Sequence, residues 1–148
     1  MMLYYGMTAK MNGKMNAETN ENAKKAQAVI NDLAKYKVGQ VVYVSAGTSG
    51  SWPSVRTERI AKVGIDVTRM EFVYLTRWGA TIDYEDRIAA TLDELKAKNI
   101  AMLEESADAW KAMRGVSDSE QKRRAATSRR RIKAWRAVTE DDVEHTKN

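Results

Sequence analysis

Residues 40–90 carry the two-residue alternation of β-strands, while the segments on either side carry the helical spacing of about 3.6. Short strands confined between helices have only one another to pair with. The sequence therefore predicts an α+β protein with a small barrel-like β core. Gln40–Ser45 is β-branched and aromatic, and reads as the first strand. Ala46–Pro53 reads as a turn-rich loop and holds the only proline. A second strand is expected over Val55–Val63 and a third over Arg69–Arg77. In the third, Met70, Phe72, Tyr74 and Thr76 alternate against Glu71, Val73 and Leu75. Trp78-Gly79 is a turn, Ala80–Tyr84 a fourth strand, and 85–90 a further pairing segment.

The flanks are helical. Residues 17–36 place Val29, Ile30 and Leu33 in an apolar stripe, with Ala26 a turn earlier and Tyr36 closing it; Val38-Gly39 ends the pattern. Thr91 and Glu94 have capping-box spacing and open a long helix, in which Leu92, Leu95, Met102, Leu103, Trp110 and Met113 share a face. Gly115 stops it. Ser117 and Glu120 repeat the capping spacing and open a last helix that runs to Val138, before an acidic tail from Thr139. The expected organisation is an N-terminal segment and helix over 1–36, a β-barrel core over 37–90, a post-barrel helix over 91–115 and a basic arm with its tail over 116–148; few large apolar side chains follow Gly115, so the arm is expected to be separable from the fold.

That last helix holds the strongest functional signal. Gln121–Arg136 contains eight Lys or Arg side chains and no acid, in a chain of formal net charge +5, so the remaining residues sum to −3. Charge gathered in this way is what a polyanion recognises. At about 100° per residue, Lys122, Arg129, Lys133 and Arg136 form one stripe; Arg123 and Arg130, then Arg124 and Arg131, lie further round. Gln121, Ala125, Ser128, Ile132 and Trp135 fill the remaining sector. With so narrow an apolar stripe, the helix suits a groove with phosphates on both sides. The competing reading is an acidic protein surface, or the chain's own tail of Glu140, Asp141, Asp142 and Glu144 folding back on the arm.

The composition of this helix resembles the arginine-rich motifs of phage antitermination N proteins, which enter the groove of an RNA hairpin. The resemblance implies nucleic-acid contacts from Lys122, Arg123, Arg124, Arg129, Arg130, Arg131, Lys133 and Arg136, with Trp135 stacking on a base. The arm lies near the C-terminus here, whereas in those proteins it opens the chain. Residues 37–113 in turn resemble small SH3-like barrel proteins of phages. Lys37-Val-Gly-Gln-Val-Val-Tyr-Val44, Arg59–Gly64 and the following aromatic strand carry the likeness, and Trp110 sits where the later helix has its tryptophan. It implies an SH3-like antiparallel barrel used for docking.

The residues do not spell out a catalytic site. The single histidine, His145, stands in a polar tail where nothing is expected to position it. Asp83, Glu85 and Asp86, with Glu58, Asp66 and Glu71 as companions, read as turn and solvation features, so no metal and no cofactor are expected. Gly47–Ser51 lacks the Gly-Lys-Ser/Thr ending of a phosphate loop and reads as a flexible hairpin loop. Trp52, Trp78 and Tyr84 are able to stack on bases, but aromatics in a small barrel are usually core, and that is the favoured reading. The chain has no cysteine, no apolar run long enough for a bilayer and no leader-like start at Met1–Met7. A cytoplasmic protein is expected, in the host cytoplasm if phage-encoded. The sequence thus favours a non-enzymatic nucleic-acid-binding protein, with RNA ahead of DNA and no membrane partner. The alternative is a module of phage host takeover that binds an acidic host protein, inhibiting or redirecting a host enzyme or defence system.

Overall fold

A computed structural model describes residues 2–3, 13–49 and 52–147. The architecture is α+β. In chain order the elements are β1 (Met2–Leu3), α1 (Gly13–Leu33), β2 (Val41–Ser49), β3 (Trp52–Arg59), β4 (Lys62–Asp66), β5 (Glu71–Leu75), β6 (Thr81–Tyr84), β7 (Ile88–Ala89), α2 (Leu92–Ala112), α3 (Asp118–Ala137) and β8 (Val143–His145).

The strands do not close into one barrel. They divide into two four-stranded sheets, ordered β1-β4-β5-β6 and β7-β2-β3-β8. The expected single strand over Val55–Val63 is two strands, and the break is where the chain changes sheets. Ile60 still donates to Gln40 O at 2.9 Å, whereas Ala61 donates to Leu75 O at 2.9 Å. The expected loop at Ala46–Pro53 is largely strand, because β2 runs to Ser49 and β3 begins at Trp52; Gly50 and Ser51 lie outside the described residues.

Two compact units result. One gathers the described residues up to Val41 with Glu58–Asp86; the other gathers Val42–Thr57 with Arg87–Lys147. They cut across the four segments expected from sequence.

In the first unit β4, β5 and β6 pair antiparallel, with an irregularity at Tyr74/Leu75. The turn from β4 to β5 takes residues 67–70, and Asp66 Oδ1 accepts from the amides of Thr68 and Arg69. This turn costs the expected third strand its first two residues and leaves Met70 at φ 53°. Val73, Tyr74 and Leu75 are all buried, as befits a strand with neighbours on both edges. Helix α1 ends at Leu33, where the Lys37 ammonium donates to the carbonyls of Asn31, Asp32 and Ala34. Its buried face is not the expected one. Ile30 and Ala34 are buried, but Val29 and Leu33 are 56 % and 68 % exposed. The helix is keyed by Gln27, which donates to Val63 O at 2.8 Å, and residues 27, 30 and 34 share a face by helical spacing. Tyr36 is buried edge-on against Tyr74, with ring centroids 5.5 Å apart. The Tyr74 hydroxyl accepts from the Tyr36 amide and donates to Glu85 Oε1. Burial, and then that carboxylate, push the Tyr74 phenol up.

In the second unit β7 pairs antiparallel with β2, and β8 pairs parallel with β3. Val55, Ala89, Leu92, Leu95, Trp135, Val138 and Val143 form its core, with Tyr43, Ile100 and Leu103 packed against it.

Candidate nucleic-acid interface

Helices α2 and α3 form the frame of the candidate site. Thr91 caps α2 as expected, accepting from the Glu94 amide at 3.2 Å, although the Glu94 carboxylate reaches the amide of Ala90 rather than that of Thr91. Gly115 sits at φ 80°, a left-handed conformation that glycine adopts without a Cβ clash. Ser117 then caps α3, accepting from the Glu120 amide at 3.3 Å. The two helices run antiparallel. Gln121 donates to Met113 O near the turn, while at the far end Lys96 donates to the carbonyls of Arg136 and Val138 at 3.0 and 2.7 Å. An ammonium at the C-terminus of α3 meets the negative end of its dipole.

The sector of α3 left free by the cations is the one that packs. Ala125, Ser128, Ile132 and Trp135 are its buried residues. Trp135 is 3 % exposed and belongs to the core of the unit, so a base cannot reach its ring. The expectation that it stacks on RNA is corrected. In a short apolar stripe the largest side chain is the one the core claims first.

The cations take the outside. Lys122, Arg123, Arg129, Arg130, Arg131, Lys133 and Arg136 are exposed, and Arg124 is half-buried. Arg123 and Arg124 share Glu120, at 2.7 and 2.6 Å. The hydrogen bonds from Arg123 and then Arg124 hold that carboxyl down at about 2, well below its usual range. Glu120 thus serves the arginines rather than the expected reciprocal cap. Arg124 also lies over the Trp110 ring, 4.0 Å from its centroid. Arg136 makes a longer pair with Glu104, 3.6 Å, and Arg130 donates to the Thr127 hydroxyl. Among the described residues, no carboxylate pairs with Lys122, Arg129, Arg130, Arg131 or Lys133. Lys122 and Arg129 line a shallow depression of about 280 Å³, together with Lys111, Asp118, Gln121 and Ala125. Lys111 was not legible as a site residue, because only the pairing of the helices brings it to α3.

The acidic tail does not mask this face. Glu140 accepts from the Tyr43 hydroxyl at 3.0 Å, and Asp142 accepts from the Thr139 amide at 2.8 Å. Residues 143–145 add to the sheet as β8, placing His145 beside Thr57. The histidine is therefore held, contrary to the frayed tail expected. Its Nδ1 lies 3.4 Å from Thr57 Oγ1, and its Nε2 lies 3.9 Å from Glu140 Oε2. The order hydroxyl, imidazole, carboxylate is that of an activated nucleophile. However, Thr57 is 3 % exposed, so the oxygen is not presented to a substrate.

Among the described residues there is no cluster of three His, Cys, Asp or Glu able to hold a metal ion, and no helix long and apolar enough to cross a membrane. No known protein family, curated protein or solved structure matches this chain.

Proposed function

We infer that this is a non-enzymatic nucleic-acid-binding protein whose outer α3 face grips the phosphate backbone. One observation carries the reading: Lys122, Arg129, Arg130, Arg131 and Lys133 are exposed on one helix with no carboxylate pairing with them among the described residues. Guanidinium forks and ammonium groups so displayed bind phosphate and release counterions. The helix is backed by α2 on its inner side, so it lies against a backbone instead of being enclosed by a groove.

The test is affinity for duplex and single-stranded oligonucleotides as a function of salt. With about five phosphate contacts, log K should fall against log salt with a slope of roughly −3.5 to −4.5. A flat dependence overturns the reading. Absence of binding at low salt, with retention of an acidic protein instead, replaces it with the protein-interaction module.

A further inference from the structure

The β5–β6 turn lies far from α3 in sequence. Thr76 donates to Ala80 O at 2.9 Å and Gly79 donates to Thr76 O at 3.0 Å, with Gly79 at φ 80°. The turn is thereby closed and held. At its tip Trp78 is 78 % exposed, where a core aromatic was expected from sequence. The Arg77 guanidinium lies over the indole, 4.5 Å from its centroid. Among the described residues no carboxylate pairs with Arg77, and Thr76–Ile82 contains no acidic residue. Lys62, opposite Leu75 in the β4–β5 ladder, adds a further basic residue at this end of the sheet.

We propose that the Arg77–Trp78 tip is a stacking site for an unpaired base of a single-stranded nucleic acid. This deepens the proposed function and rests on it. Arg77 lies over the indole and Trp78 is otherwise largely exposed, which makes room for a base as a further layer of a stack. With no carboxylate pairing with it among the described residues, the Arg77 guanidinium keeps N–H groups for the neighbouring phosphate. The tip therefore offers the two chemistries of one nucleotide side by side, a π-face and an unneutralised cation. Within a duplex each base face is already covered, so the tip selects single strands.

The test compares the full-length protein with its Trp78→Ala and Trp78→Phe variants. Anisotropy is measured on a labelled oligothymidylate and on a duplex of equal length, with circular dichroism confirming the fold. Trp78→Ala should weaken oligothymidylate binding by about 5- to 150-fold and leave duplex binding unchanged. Phenylalanine should restore most of the loss. Equal affinities of wild type and Trp78→Ala for oligothymidylate overturn the stacking site while leaving the salt-dependent α3 contact standing. An equal loss on both oligonucleotides also overturns it, by showing a non-selective role. Failure of the wild type to bind either one at low salt overturns this proposal and the α3 reading together.

Discussion

Trp135 and Trp78 carry the same indole into opposite surroundings. Trp135 follows Ile132 at helical spacing, so the folded α3 turns both toward the core. Trp78 sits in the turn between β5 and β6, largely exposed, with Arg77 over its ring. The sequence alone does not separate these cases, because exposure is decided by partners that are distant along the chain. Trp135→Ala should therefore behave as a core truncation and destabilise by about 3–5 kcal/mol in a denaturant titration. Glu120 supports a second prediction at this scale. Its folded pKa, about 2, is depressed below the ordinary 4.5 by Arg123 and Arg124. A depressed carboxyl contributes stability at pH values above its unfolded pKa and loses it as pH falls through the folded value. Stability should thus decline between about pH 5 and pH 2, and Glu120→Gln should flatten that part of the profile. A profile unchanged by the substitution would show that the pair contributes nothing, as many exposed pairs do.

Among the elements, helices were easier to foresee than strands. Thr91 and Ser117 announce α2 and α3 through local capping chemistry, and both caps form. Strand limits depend on non-local pairing, so nothing local in the sequence marks the break of Val55–Val63 at Ile60 or the strand at Val143–His145. The β8 pairing also changes what the C-terminal region is. An arm expected to be separable instead supplies Trp135, Val138 and Val143 to a core shared with Val55 and Leu95. Deletion of residues 117–148 should consequently abolish cooperative unfolding of the unit that contains α2, with loss of the α2 helical signal in circular dichroism. A truncated chain that keeps a sharp transition would restore the separable arm. Lys96→Met should cost about 1 kcal/mol, since it removes the ammonium from the Arg136 and Val138 carbonyls but keeps the stem.

For the whole molecule, charge and stability are carried by different sides of the same helix. The chain has a formal net charge of +5, with eight cations in Gln121–Arg136 set against −3 elsewhere. This segregation was legible in the sequence because it is a matter of counting and helical spacing. The inner partner of α3 was not, because it needed the α2 pairing. A helix with cations on its outside and Ala125, Ser128, Ile132 and Trp135 on its inside can lose the first without losing the second. Replacing Arg129, Arg130 and Arg131 by alanine removes three exposed charges and introduces the best helix former. The thermal midpoint should stay level or rise slightly, as self-repulsion along the helix is relieved. Polyanion affinity at low salt should collapse, and the slope of log K against log salt should become shallower by about 2–3. A triple variant that keeps both the wild-type affinity and the wild-type slope would place the phosphate contacts somewhere other than α3.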